Sequence, residues 1–276
     1  MKSRGEQRGR LRSLEALGEA VGAMKSLSAH HLREARLAVE MARVYRSGVE
    51  HLLEGVGAAF ATGAGGAGLL IIGAELGLCG SYNAQVVAEA LARRATLQEG
   101  PTLCVGHRAA VLLERKGVRV LRTYPTPTSV SGITGLLLRL AEDVLGCYAK
   151  DRLSSFDIVS SRFSGVGSVS PMSVRLLPFE ARSADARRRI RYVPPEAFSF
   201  AAIREFLYIT LYDLLLDALA SEYGARLVAT QSAEKWLDER TRVLRQQLAA
   251  ARREASTQEV LEIAAGVRAR REGRGA

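Results

Sequence analysis

The stretch that decides the fold lies in the last third of the chain, where residues 198–270 read FSFAAIREFLYITLYDLLLDALASEYGARLVATQSAEKWLDERTRVLRQQLAAARREASTQEVLEIAAGVRAR. It contains no proline and only two glycines, Gly224 and Gly266, so it is predicted to form one continuous helix. At 1.5 Å per residue such a helix would reach about 105 Å, several times the diameter of a domain that this chain could build. We therefore expect a shaft that needs a partner along its length.

Residues 1–57 offer that partner. Apolar or small residues recur there in alternating steps of three and four, which is a 3.5-residue period and predicts a left-handed coiled coil. The predicted seam comprises Leu14, Leu17, Val21, Met24, Ser28, His31, Ala35, Ala38, Ala42, Tyr45, Val49, Leu52 and Val56. Small residues in the middle of this seam allow close approach, so the helices over 1–57 and 198–270 are expected to wind around each other.

The middle of the chain, residues 68–180, changes from this period to short apolar runs that alternate with helical segments. Strands are predicted at 69–72, 101–105, 118–121, 156–162 and 172–178, and helices at 81–95, 107–115 and 133–148. Ser81 is well placed to cap the first of these helices. The alternation predicts an open α/β sheet that ends in a hairpin. An arginine-rich linker over 181–197 is expected to follow.

Composition limits the classes of function. The net charge is +10 over 276 residues, which favours acidic partners such as nucleic acid, anionic lipid or acidic protein, although arginine richness also reflects genome composition. The three cysteines, Cys79, Cys104 and Cys147, form no CxxC pair, so neither a disulfide framework nor a zinc site is indicated. Without an apolar leader or a long apolar run, the chain is expected in the cytoplasm with no membrane span of its own.

The sequence contains no convincing motif for nucleotide binding, metal binding or catalysis. The glycines after the first predicted strand, Gly73, Gly77 and Gly80, match neither GxGxxG nor a GK[ST] loop, so a plain turn is favoured over nucleotide binding. His30 and Glu34 could pair on a metal, but no third ligand is evident beside them and a solvated helix face is the favoured interpretation. No cofactor, metal or catalytic residue is therefore expected.

Several motifs, in order along the chain, carry a resemblance. Ala23-Met24 precedes an alanine-rich helical segment, Gly77-Leu78-Cys79-Gly80 follows the first strand, and the C-terminal helix holds two further blocks. These blocks are SEYGARLVA at 221–229 and AR at 251–252 followed by TQEVLEI at 257–263. Together they resemble the gamma subunit of F-type ATP synthases, and the match covers essentially the whole chain.

The resemblance implies an antiparallel coiled coil of N- and C-terminal helices with a Rossmann-like α/β middle domain that holds no cofactor. The implied domains are 1–57, 68–180 and 198–270. It also implies a rotor stalk that catalyses nothing itself. The implied partners are the alpha and beta subunits of the hexamer, the epsilon subunit and the membrane c-ring, with no nucleic acid. The implied location is the cytoplasmic face of the bacterial inner membrane, as a peripheral component of the synthase.

Four residues fall where the family contacts its beta subunits: Met24, Arg252, Thr257 and Glu259. The chain departs from the family pattern at Gly22, where a lysine is usual, and at Glu75-Leu76, where Asp-Arg is usual. These departures are typical of a divergent member. Two other functions stay open from the residues alone: a basic coiled-coil protein that binds nucleic acid or acts as a scaffold, and an α/β enzyme. Low aromatic content and interleaved glutamates disfavour the first, and the absence of a recognisable active-site motif disfavours the second.

Overall fold

The computed structural model describes residues 4–56, 63–179 and 195–272. The helices and strands in chain order are α1 (Arg4–Val56), β1 (Gly65–Ile72), α2 (Tyr82–Ala95), β2 (Thr102–Val105), α3 (His107–Arg115), β3 (Arg122–Tyr124), α4 (Val130–Lys150), β4 (Leu153–Arg162), β5 (Ser170–Leu177) and α5 (Pro195–Glu272). The chain divides into two compact units. One comprises Met1–Met24 with Thr230–Ala276, and the other comprises Lys25–Ala229.

The two terminal helices form as the sequence predicts. Helix α5 runs over 78 residues, three residues earlier at its start than predicted. Its first residue is Pro195, a position that proline favours because the missing N–H would have no partner within the helix. The last three residues of the predicted linker are therefore helical, and its arginine cluster lies outside the described residues.

The larger unit is built on a five-stranded sheet of order β3-β2-β1-β4-β5. β1, β2, β3 and β4 run parallel, and β5 pairs antiparallel with β4 to give the predicted hairpin. Both faces of the sheet are covered, as an almost fully parallel sheet requires. Leu69 and Ile71 pack with α2 and α3, whereas Leu70 and Ile72 pack in a core shared with α1, α4 and α5.

One strand lies away from its predicted place. The apolar run 118–121 was the expected third strand, but β3 begins at Arg122. The reason is the end of α3: Gly117 is left-handed with φ +80, its amide bonds to Glu114, and the amide of Val118 bonds to Leu113. This six-to-one pattern is a Schellman motif, so the backbone of Val118 closes a helix and cannot pair in a sheet there.

The packed stripe of α1 within the larger unit also differs from the predicted seam. Ser28, Ala35, Ala42 and Val49 are buried as expected. The other half of the stripe lies one residue further on: Leu32 and Val39 are buried in place of the predicted His31 and Ala38, and Leu53 is buried next to the predicted Leu52. The predicted Tyr45 is exposed. The predicted Leu52 lies among the residues whose side chains are not described. Burying leucine and valine removes more apolar area than burying histidine or alanine, which favours the observed rotation.

The segments of α1 and α5 are antiparallel within the larger unit, and they are also in contact within the smaller one. In the larger unit, Arg46 pairs with Asp213 while Arg43 pairs with the later Asp217. In the smaller unit, Arg245 Nη2 lies 2.7 Å from Glu15 Oε1. Leu14 and Leu244 line one small pocket there. The predicted fold class, an antiparallel coiled coil with an α/β sheet between its helices in sequence, is confirmed.

Candidate functional site

A carboxylate occupies the carboxyl edge of the parallel sheet. Glu75, just beyond β1, accepts hydrogen bonds through Oε2 from the amides of His107 at 2.9 Å and Thr126 at 3.4 Å. These amides follow β2 and β3, so one side chain ties three strand ends together. In open α/β sheets this edge, with its exposed helix N-terminus, is where ligands bind. Here the start of α3 is capped by the chain's own anion.

Two glycines bring backbones together at the same edge. A Cβ on Gly73 would lie 2.3 Å from the Cβ of Ala109, and a Cβ on Gly106 would lie 2.7 Å from the carbonyl carbon of Gly73. Gly106 is also left-handed, with φ +96. These glycines are explained by close packing of strand ends and α3, in keeping with the expected plain turn.

The motif that follows β1 lies against the motif in α5. Arg226 Nε donates to the carbonyl of Gly77 at 3.3 Å, and its guanidinium also pairs with Glu222. Both side chains of this pair are almost fully buried. Burial raises the pKa of Glu222, and the positive charge of Arg226 opposes that shift. The two motifs are about 140 residues apart in the sequence, and only the fold shows that they form one cluster.

Further bonds hold α5 to helix α2 and to the sheet at this junction. Tyr82 Oη donates to the carbonyl of Ala218 at 3.3 Å, and Ser221 Oγ donates to the carbonyl of Ser161 at 3.3 Å. All of these groups are buried, where an unmade hydrogen bond would cost more than a made one gains. The junction therefore fixes the position of α5 on the sheet. Ser81, the predicted cap of α2, instead accepts from Gln85 Nε2 at 2.7 Å and makes no capping bond through its side chain.

Sequence analysis missed two buried carboxylates on α5. Asp213 and Asp217 are both 3% exposed, and they pair with Arg46 at 2.9 Å and Arg43 at 2.6 Å. Burial raises the pKa of Asp217, while Arg43 opposes the shift. The sequence held one signal for these ion pairs, namely two acidic residues at i and i+4 inside an otherwise apolar run. Acidic side chains in a buried helix require polar or charged partners.

The arginines that make the chain basic are in several places neutralised by acids. Asp157, fully buried on β4, accepts from Arg93 at 2.7 Å and from Arg175 at 3.3 Å. Arg242 pairs with Glu239 on the surface of α5. Together with the pairs on α1 described above, these contacts give many of the arginines a structural role. A nucleic-acid interface would instead need arginines that are exposed and available to contact phosphates.

The four residues predicted to contact a partner all lie in the smaller unit. Met24 on α1 is partly buried, whereas Arg252, Thr257 and Glu259 on α5 are exposed. Arg252 and Glu259 are seven residues apart, so they lie within about 20° of each other around the helix, and Thr257 lies about 140° from Arg252. Thr257 Oγ1 donates to the carbonyl of Arg253 at 3.0 Å. The structure thus places Arg252 and Glu259 on one face, with Thr257 on another.

Apolar side chains are exposed beside these residues. Val260, Leu261 and Ile263 are each about 60% exposed, and residues 256–266 are exposed throughout. Their positions spread over about 160° of the helix circumference, which is wider than the stripe of an ordinary amphipathic helix. Contiguous exposed apolar patches are typical of surfaces that contact another protein or a membrane.

The possible metal ligands on α1 lie closer together than their sequence suggested. His31 joins His30 and Glu34, because its Nδ1 lies 3.2 Å from Glu34 Oε2. The ligand atoms of these three residues all lie within 4.8 Å of one another.

Comparison with known proteins shows one family that matches almost the whole chain. A protein-family model described as ATP synthase matches residues 3–269. The ATP synthase gamma chain of Desulforamulus reducens is 27% identical over 98% of this chain and 99% of its own length. That of Moorella thermoacetica is 28% identical over 93% of this chain and 95% of its own length. The chain belongs to the gamma-chain family of ATP synthases. Like other gamma chains it is a non-catalytic rotor subunit, and it serves as a peripheral component of a membrane-associated complex.

Solved structures support the fold of this gamma chain. A chain of the Euglena gracilis mitochondrial ATP synthase superposes with a TM-score of 0.70 at 15% identity, covering 99% of this chain and 96% of that one. A chain from the central stalk and c-ring of the Tetrahymena thermophila mitochondrial ATP synthase gives 0.59 at 19% identity, covering 78% and 99%. Within the described part of this gamma chain, no helix has both the length and the hydropathy to cross a membrane.

Proposed function

We propose that this chain is the central stalk that couples ion flow through a membrane c-ring to ATP synthesis or hydrolysis in an alpha3-beta3 hexamer. The observation that carries the proposal is the match of one family along residues 3–269, which include both the exposed end of α5 and the sheet. In this arrangement residues 1–57 and 198–270 supply the coiled-coil helices, and residues 68–180 supply the α/β domain. The epsilon subunit is a further proposed partner, and the complex is proposed to lie on the cytoplasmic face of a bacterial inner membrane.

The physical basis of coupling is that a helix surrounded by other subunits presents a different face to each of them as it turns. Val260, Leu261 and Ile263 are exposed on different sides of α5, so a surrounding sleeve would bury apolar area on each side. Arg252 and Glu259 place a basic and an acidic group on one shared face of α5, so the helix presents different side chains to its neighbours as it turns, and this asymmetry allows rotation to bias one catalytic site at a time. Arg252 can form a bidentate pair with a carboxylate of a beta subunit. Met24 and Thr257 are proposed as further contacts.

The proposal is tested by co-expression with the alpha- and beta-type subunits of the same organism. We expect a complex of three alpha, three beta and one copy of this chain, with ATPase activity that depends on this chain. If the chain instead purifies alone, or with nucleic acid that high salt does not remove, it is not the stalk of that complex.

The contact residues are tested in the complete membrane complex. Arg252→Ala is expected to weaken ATP-driven ion pumping relative to ATP turnover while assembly is retained. The adjacent Arg253→Ala is the matched control, since both side chains are exposed on the same turn of α5. Equal pumping by the two variants would remove the proposed role of Arg252.

A further inference from the structure

We propose that His30, His31 and Glu34 bind one divalent transition-metal ion of the zinc class on the side of α1. His30 Nε2 lies 3.8 Å from Glu34 Oε2, and His31 Nδ1 lies 3.2 Å from the same oxygen. All three ligand atoms lie within 4.8 Å of one another. Among the described residues they are the one group of at least three histidine, cysteine or carboxylate side chains that comes this close.

These distances suit a metal of ordinary size. Zinc binds imidazole nitrogen and carboxylate oxygen at about 2.0–2.2 Å, so neighbouring ligands of a tetrahedral ion lie about 3.4 Å apart. Contraction of the three ligand atoms by about 1.5 Å at most would bring them to that spacing. Two imidazoles and one carboxylate favour zinc, nickel or copper, whereas calcium and magnesium require mainly oxygen ligands. Three protein ligands leave a fourth position, which water fills in the free chain.

One of the three ligands is already held in place. The His31 side chain is 15% exposed, and its ring packs against Tyr223 with the ring centroids 5.0 Å apart. The hydroxyl of Tyr223 donates to the carbonyl of Thr128 at 2.7 Å, which fixes the tyrosine in turn. Supporting contacts of this kind orient a ligand before the metal arrives. The side chains of His30 and Glu34 are 60% and 47% exposed, so they are free to adjust around an ion.

The nearby positive charges on α1 are directed to other groups. Arg33 donates to the carbonyl of Ala29 at 3.2 Å, and the guanidinium of Arg36 lies over the ring of Phe163 at 5.9 Å. The Glu34 carboxylate faces the two imidazoles. An ion would replace the direct contact between His31 Nδ1 and Glu34 Oε2 and would bind both atoms. The site requires only the helix and Tyr223, so it does not rest on the proposed rotor function.

The test is zinc titration of the full-length chain, without an affinity tag of histidines, followed by calorimetry. We expect one ion per chain, with binding weakened at least tenfold by His30→Ala and by Glu34→Gln. His51→Ala is the matched control, because His51 is an exposed histidine about 30 Å further along the same helix, and we expect its effect to be below twofold. Cobalt titrated into the same proteins reports nitrogen and oxygen ligation through its visible absorption.

Two further measurements decide between this site and others. Cys147 is partly buried and carries a free thiol, so Cys147→Ser must retain zinc binding. Circular dichroism of each variant must show an unchanged helical fold. The proposal is overturned if no zinc binds at one equivalent, if His51→Ala weakens binding as much as His30→Ala, or if Cys147→Ser abolishes it.

Discussion

Arg226 Nε donates a hydrogen bond to the carbonyl of Gly77 across 3.3 Å, and this contact joins helix α5 to the loop that follows β1. The same guanidinium pairs with Glu222 and lies 5.1 Å from the centroid of the Tyr223 ring. One side chain therefore connects the helix, its own preceding turn and the sheet.

Arg226→Ala is expected to destabilise the chain by about 3–5 kcal/mol, because it leaves the buried carboxylate of Glu222 without its partner. The loss should shrink as the pH falls, since burial raises the pKa of Glu222 and protonation removes the unpaired charge. Urea unfolding followed by circular dichroism measures both effects. The control is Arg122→Ala, whose pair with Asp143 is 60% exposed on the arginine side, so its loss should destabilise the chain far less. Equal losses in the two variants would contradict the role of Arg226.

Gly106→Ala is expected to cost about 2–5 kcal/mol, from a left-handed backbone and from overlap with the backbone of Gly73. Gly117→Ala separates these two causes. Gly117 is also left-handed, but a Cβ there would meet nothing within 4 Å, so only the conformational cost of about 1–2 kcal/mol should appear. The comparison is made from thermal unfolding of the two variants. A Gly106 variant as stable as the Gly117 variant would show that the strand ends can move apart.

Asp217→Asn is expected to make the chain more stable at pH 7.5. Burial raises the pKa of Asp217 above that of an unfolded aspartate, about 3.9, so its neutral form is favoured in the fold. That contribution is fully present below the unfolded pKa and is lost as the pH rises through the folded pKa. The advantage of the asparagine variant should therefore vanish as the pH approaches 4. Arg43 is about one-third exposed, so its charge keeps access to water in the variant.

The measurement is the free energy of unfolding of both proteins between pH 4 and 7.5. A variant that is less stable than the natural chain at pH 7.5 would mean that the ion pair with Arg43 outweighs the burial of the carboxylate.

Local patterns in the sequence predicted most of the helices and strands. Helix α3 was predicted at 107–115, where it lies, because its period and its flanking glycines are local signals. The third strand was wrong, since a helix cap used the backbone of Val118. The predicted packing seam of α1 was correct for about half of its positions within the larger unit. Several neighbouring residues are small or apolar, and only packing against α5 selects Leu32 and Val39 over His31 and Ala38.

The candidate sites were less predictable from sequence. Resemblance located Arg252 and Glu259, but their shared face follows from helix geometry, and their contact with a partner stays a prediction. Glu75 and His107 are 32 residues apart and meet only because parallel strands end at one edge. The pairing of Arg43 with Asp217 spans 174 residues. The spacing of apolar residues along a segment predicts its own secondary structure, but it cannot show which distant segment that segment contacts.

The carboxylate of Glu75 has a consequence for how the sheet responds to its surroundings. A small anion that approached the amide of His107 would have to displace Glu75 and would be repelled by its charge. A ligand stabilises a fold by an amount that rises with the logarithm of the ratio of its concentration to its dissociation constant, so a ligand that binds weakly adds little stability. Because the carboxylate of Glu75 already accepts the hydrogen bond from the amide of His107, changes in cellular phosphate or nucleotide concentration should have little effect through this position on the stability of the domain.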